Sequence, residues 1–466
     1  MDGKHLKPRA LVILCALTAM VFSAVTASAG AASTVTWLDG YAAPGTPENL
    51  NKVGVIKVGP KRAKNVLVLE PGSPAGATYF VPLAKWVVEK APGWQVWSVE
   101  RRQNLLEDHS VFDMAKTGQA SAKQMFDYYL GYLTEPAISP HIEPVKDEAV
   151  PFARGWGMRV AVEDLARVIA AAKRQGGKVV LGGHSLGASI TTAYATWDFR
   201  GKPGARSLAG LVYDDGSVNA PITAQQATEA LQALSIATPW SSLNGIPAPT
   251  VGLFSAMLGT TAQVEPTAPS VVQEFFLRPE ALRPPLPVTN VGMLGYATGT
   301  QSSKLSYAAQ ANMGSLDTST NPAGWSTAGA LTPIDRYAAM LAGAGVTGAD
   351  GTEWYFPQRL LIDAQAVNRG KASPAQKVLG LRATLGNELP KRLRIYAFGA
   401  YHGKETLAEV TALARQSGIP QRNLTLVDRQ ASYAHNDPAA AYPNNVFFSK
   451  LVRFLGTISA PAKGRK

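Results

Sequence analysis

Short, continuously apolar runs alternate along this chain with amphipathic segments. Val66-Leu67-Val68-Leu69 has the pattern of a strand buried on both faces, and it ends in the turn-rich Glu70-Pro71-Gly72-Ser73-Pro74-Ala75-Gly76. From Tyr79 to Lys90 the apolar positions Phe80, Leu83, Val87 and Val88 follow helical spacing, and Pro92-Gly93 stops the helix. Gln95 to Val99 predicts the next strand. Met158, Val162, Leu165, Ile169 and Ala172 form one stripe of an amphipathic helix, closed by Gly176-Gly177. Lys178-Val179-Val180-Leu181 then reads as a strand, Leu186 to Phe199 as a helix and Leu208 to Tyr213 as a strand. Residues 30–64 predict an irregular lead-in with one or two edge strands, among them Val53–Val58, and 100–156 a polar stretch of loops and short helices.

The rhythm breaks from Gly216 to Pro390, a region rich in Pro, Gly, Ser, Thr and Ala with scattered aromatics and Met. It resumes with Leu393 to Phe398 (strand), Glu405 to Gln416 (helix), Leu424 to Val427 (strand) and Asn445 to Leu455 (helix). Strand–helix alternation predicts an α/β fold, a mostly parallel, doubly wound sheet with helices on both faces. A chain that leaves one sheet and returns to it favours an inserted cap over an independent second domain. The expected organisation is a core over 30–215, a cap over 216–390, the rest of the core over 391–458 and a basic tail over 459–466.

Composition narrows this picture. Of 466 residues, 46% are hydrophobic and 17% charged, which supports a large core and argues against disorder. Lys4, Lys7 and Arg9 precede an apolar run from Ala10 to Val25, and Ala27-Ser28-Ala29 supplies a small-x-small cleavage pattern. Residues 1–29 therefore read as a signal peptide, and the protein as secreted or periplasmic. The run is short for a membrane span and is interrupted by Thr18 and Ser23, so no stable span is expected after cleavage. The one cysteine, Cys15, lies inside this segment, and Val12-Ile13-Leu14 before it lacks the small residue expected ahead of a lipidated cysteine. A mature chain without cysteine has no disulfides, no thiolate metal sites and no cysteine nucleophile. The formal charge of +12 is spread along the chain, with Lys463-Gly464-Arg465-Lys466 the one dense basic spot. Without a basic stripe interleaved with aromatics, a solvated basic surface is expected rather than a nucleic-acid partner.

The chemistry is concentrated at Gly183-His184-Ser185-Leu186-Gly187, a G-x-S-x-G string between a predicted strand and a predicted helix. A serine at so tight a bend needs neighbours without a Cβ two positions away, and the bend lifts its hydroxyl clear of the sheet. The segment resembles the nucleophile elbow of the α/β-hydrolase superfamily, and the chain from Asn65 to Leu455 can be laid on that fold. Closer similarity is to poorly characterised secreted bacterial members, through Arg101-Arg102-Gln103-Asn104-Leu105-Leu106-Glu107-Asp108 and Trp156-Gly157-Met158-Arg159.

The resemblance implies Ser185 as nucleophile and a base and acid that follow it in chain order. Of six histidines, His5 leaves with the signal, His184 adjoins the nucleophile, and His109 and His141 precede it. His402 and His435 remain. His435, past the last strand, matches the family's histidine loop and is preferred. The family's usual acid position, in Phe398-Gly399-Ala400-Tyr401-His402-Gly403-Lys404-Glu405, holds no aspartate. Some members carry the acid one strand earlier, which here is Asp214-Asp215. Asp215 is therefore the expected acid, Asp214 the second choice and Glu405 the third. The resemblance also places the oxyanion donors at the backbone of Ser73 and Leu186. Trp240, Leu253, Phe254, Met257, Leu258, Phe275, Phe276 and Met293 would build the cap core or line an apolar pocket.

These features imply acyl transfer to water on a small ester or lipid-like substrate, an esterase or lipase with no metal or organic cofactor. The rivals are an acyltransferase or amide/peptide hydrolase on the same residues, and a non-catalytic binding protein with this fold. A dehalogenase would need an aspartate where Ser185 stands.

Overall fold

In the computed structural model, residues 33–216, 221–243, 246–273, 275 and 280–460 are described. The expected signal peptide with Cys15, Phe276 and the basic residues 463–466 lie outside them. Eight strands form the central sheet: β1 Thr36–Asp39, β2 Lys52–Val58, β3 Asn65–Glu70, β4 Trp94–Glu100, β5 Val179–His184, β6 Gly210–Asp214, β7 Arg394–Gly399 and β8 Leu424–Asp428. Their spatial order is β1-β2-β4-β3-β5-β6-β7-β8. β2 pairs antiparallel with both β1 and β4, and every other pairing is parallel.

The apolar runs form central strands because both faces are covered. Val66, Val68, Leu181, Leu211 and Ile395 enter one core, whereas Leu67, Leu69, Val180, Val212 and Tyr396 enter the other. On the first face lie α2 (Met158–Lys173), α3 (Leu186–Thr196) and α10 (Gly403–Gln416). The five residues of the predicted α2 stripe are all buried there. On the second face lie α1 (Val81–Lys90) and α11 (Val446–Ser459). α3 stops at Thr196, short of the predicted Phe199, because Trp197 turns extended and bridges to Ala383.

The stretch between β6 and β7 divides between these faces. Its helices α5 (Thr250–Val264), α6 (Asn290–Thr298) and α7 (Ile334–Leu341) bury Met257, Met293 and Met340 in the core shared with Phe80 and Leu83 of the α1 side. α4 (Ala224–Ile236), α8 (Gln358–Ala364) and α9 (Pro374–Leu379) instead bury Leu234, Leu360 and Leu379 with α2 and α3. Among the described residues, no helix is long and apolar enough to cross a membrane.

Candidate active site

Parallel register brings the functional loops to one edge of the sheet. Gly183 is level with Glu70 and Tyr213, and Asp214 is level with His184 and Phe398. The chain after each of the parallel strands β3 to β8 therefore emerges at the carboxyl edge, where open α/β sheets bind ligands.

Ser185 joins β5 to α3 with φ 54° and ψ −123°, a conformation that is strained for a non-glycine residue. Its amide donates to the Asp214 carbonyl at 3.0 Å, which ties the bend to β6. The flanking glycines are required by contact: a Cβ at Gly183 would run into the Gly187 carbonyl, and one at Gly187 into the Glu70 carbonyl. A Cβ on Gly72 would lie 2.9 Å from the Ser185 Cβ, so the loop after β3 passes directly beside the bend.

Asp215, also at positive φ (44°), points a fully buried carboxylate at His435. Its Oδ1 accepts from the amides of Ala400 and His402, each at 2.8 Å, and its Oδ2 accepts from His435 Nδ1 at 2.6 Å. With Nδ1 donating, His435 Nε2 carries the lone pair. That nitrogen is buried and has no protein partner among the described residues, so Ser185 and His435 make no hydrogen bond. The imidazole is walled by Tyr307 edge-on at 5.1 Å and by His184 at 4.3 Å between ring centroids.

The alternative acids lie elsewhere. Neither carboxyl oxygen of Asp214 has a partner among the described residues, and burial, then the Asp215 charge, pushes its pKa well above the usual range. Glu405 is 74% exposed and faces His402 at 3.5 Å. His184 lies under the elbow, stacked on Tyr79, with Nε2 at 3.0 Å from the His435 carbonyl. Burial, then the neighbouring His435, depresses its pKa, so it stands neutral. The amides of Ser73 and Leu186 donate to no protein acceptor among the described residues.

Next to these groups is a cavity of about 90 Å³, partly open to solvent. Ser73, His184, His435 and Asn436 line its polar end, and Ile246, Val251, Phe254, Leu258, Met340 and Leu341 its apolar walls. Ser185 is not among its lining residues, although Gly72 and His184, which flank it, are. Of the residues expected to form a pocket or cap core, Phe254 and Leu258 reach the cavity. Trp240, Leu253, Met257, Phe275 and Met293 are buried without lining it.

The histidine loop is held by groups that sequence reasoning did not pick out. Asp437 is buried and accepts from the amides of Asn312 (2.8 Å) and Ala434 (2.7 Å) and from the Thr332 hydroxyl (2.7 Å). Asn436 Nδ2 donates to the Ala308 and Gln310 carbonyls at 3.0 and 3.1 Å. Ala308 to Thr332 belong to the inserted stretch, which therefore grips the loop that carries His435.

Several buried carboxyl groups give up their protons at a higher pH than they would in an unfolded chain. Burial raises Glu70 to about 7 even beside Arg101, and it raises Asp363 and Asp437 to about 6. Between the ordinary carboxylate range and these values the folded chain binds more protons than the unfolded one, so stability falls as pH rises through about 4 to 7. The chemical-denaturation midpoint is expected to be lower at pH 8 than at pH 5. An equal or higher midpoint at pH 8 contradicts these proton states.

The strand order, with its antiparallel second strand and a strained serine after the fifth, defines an α/β-hydrolase fold. No protein-family model and no curated protein matches the chain. Solved structures with a similar path include an α/β-hydrolase fold protein from Nakamurella multipartita, at 12% identity and TM-score 0.42, covering 91% of this chain and 99% of that one. Another is a thermophilic esterase from Thermogutta terrifontis, at 13% identity and TM-score 0.38, covering 92% and 100%. A third is a soluble variant of monoglyceride lipase from Saccharomyces cerevisiae, at 11% identity and TM-score 0.40, covering 93% and 98%.

Proposed function

We propose that this chain is an exported serine hydrolase that cleaves carboxylic esters through Ser185, His435 and Asp215. The observation that carries the reading is the buried Asp215–His435 pair, whose lone-pair nitrogen is left without a protein partner at the carboxyl edge that also presents a strained serine. Hydrogen bonds from base to nucleophile commonly tighten only when substrate is bound.

His435 Nε2 takes the Ser185 proton as Oγ attacks the ester carbonyl. The Ser73 and Leu186 amides hold the oxyanion, and Asp215 stabilises the imidazolium. His435 then gives its proton to the departing alkoxide, which leaves as the alcohol. Water, deprotonated by the same nitrogen, attacks the acyl-enzyme, and the carboxylic acid leaves as the serine recovers its proton. The apolar cavity walls favour an uncharged, largely hydrocarbon substituent on the ester.

A fluorophosphonate probe followed by peptide mapping tests this reading. The expected adduct is on Ser185, with p-nitrophenyl esters turned over faster than amino-acid anilides. Preference for anilides would favour the amide/peptide hydrolase, and transfer to an added alcohol in place of water the acyltransferase. No adduct would leave a non-catalytic binding protein.

A further inference from the structure

The loop after β3 turns on a backbone bond from the Ala75 amide to the Gly72 carbonyl at 3.2 Å, and a single side chain, Arg101, reaches several more of its carbonyls. Arg101, the first residue after β4, has a buried guanidinium. Its Nε donates to Glu70 at 2.8 Å, and its Nη1 pairs with Glu353 at 2.8 Å. The remaining N–H groups turn to carbonyls of the loop: Nη2 donates to Pro71, both Nη atoms lie 3.4 Å from the Gly72 oxygen, and Nη1 lies 3.5 Å from the Ala75 oxygen. Glu353 also donates its amide to the Pro74 carbonyl at 2.8 Å, and Gly76 donates to Gly351 at 3.1 Å.

Peptide planarity turns this grip into a directional effect. The Gly72 C=O and the Ser73 N–H belong to one trans peptide unit and point in opposite directions. Drawing the Gly72 oxygen to Arg101 aims the Ser73 N–H the other way, and Ser73 is among the residues that line the cavity. The same holds for the Pro71 oxygen and the Gly72 N–H.

We infer that Arg101 is a positioning residue that sets the oxyanion donor of Ser73, and that Glu353, contributed by the inserted stretch, fixes Arg101 in that role. This rests on the serine-hydrolase reading above. Arginine is needed because five N–H groups in one plane reach two carboxylates and several carbonyls at once, whereas the lysine ammonium offers three donors at a point. A donor fixed before the reaction costs no reorganisation as charge develops, which is where such donors act.

The test compares Arg101→Lys and Glu353→Gln with wild type, using an alkyl boronic acid as tetrahedral mimic and an uncleavable ether analogue of the substrate as ground-state ligand. Arg101→Lys is expected to lower kcat by about 10²-fold and to weaken boronate binding by a similar factor, with KM and ether affinity unchanged. Glu353→Gln, which keeps the shape and one acceptor, is expected to lower both by about tenfold. A merely structural role would not make kcat and boronate affinity fall in step while ether affinity held. If wild type is labelled at Ser185 but a folded Arg101→Lys keeps kcat and boronate affinity, or loses only KM, the inference is overturned and the function stands. If Arg101→Lys does not fold, Glu353→Gln decides, and unchanged boronate affinity there overturns the inference. A wild type that takes no label overturns both.

Discussion

Asp215→Asn is expected to lower kcat by roughly 10⁴-fold while leaving KM within a few-fold of wild type. Oδ1 of residue 215 faces two backbone donors, Ala400 and His402, so the asparagine must keep its carbonyl there and turn its NH₂ toward His435. A donor facing Nδ1 forces the proton onto Nε2, and the nitrogen proposed to take the Ser185 proton is then blocked. Asp214→Asn is the matched comparison. Burial pushes the pKa of its carboxyl well above the ordinary range, and the group is nearly isosteric with the amide, so kcat should stay within about threefold. Steady-state kinetics on a p-nitrophenyl ester distinguishes the two. Equal losses in both variants would remove Asp215 from the assignment.

The second large effect is on stability. Arg102 is 1% exposed and meets Asp164 in a two-pronged pair, with Nη2 at 2.7 Å from Oδ1 and Nε at 3.0 Å from Oδ2. Asp164 also accepts the Tyr41 amide at 2.6 Å, so it joins α2 to the chain after β1. Asp164→Ala leaves a guanidinium inside the protein whose remaining hydrogen-bond partners among the described residues are Asn51 and the Tyr41 carbonyl. Breaking a buried pair from one side costs about 3–5 kcal/mol, because the remaining charge cannot be rehydrated. Urea denaturation of the variant should report a loss of that size. A loss below about 1 kcal/mol would mean that water reaches the pair, as at a surface ion pair.

The sheet was legible from the sequence because its signals are local. Val66–Leu69 and Val179–Leu181 are apolar at every position, as strands covered on both faces must be, and the α2 stripe repeats at helical spacing. The bend at Ser185 was legible because its motif is contiguous and Gly183 is crowded by the Gly187 carbonyl within it, although the contact that excludes a Cβ from Gly187 comes from the distant Glu70 carbonyl. The placement of Asp215 beside His435 followed from the family resemblance, since the two residues are 220 positions apart and nothing local joins them.

The division of the inserted stretch between two faces was not legible. Leu234 and Leu360 are no different in pattern from Leu253 and Leu258, and only the tertiary fold decides which core each enters. The Arg101 and Asp437 contacts were hidden for the same reason. The string beginning Arg101-Arg102 was singled out in the sequence, but its charge reads as solvated until Glu70, Glu353 and Asp164 are brought to it. Charged residues are recognised as interior only once their partners are known.

The inserted stretch supplies Met340, Leu341 and Phe254 to the cavity walls, and it also supplies Glu353, Asn312 and Thr332 to the supports of the two loops beneath. Roof and foundations are thus one piece of chain. A rigid swing of the whole stretch away from the sheet would therefore pull on the supports of both loops as it uncovered the cavity.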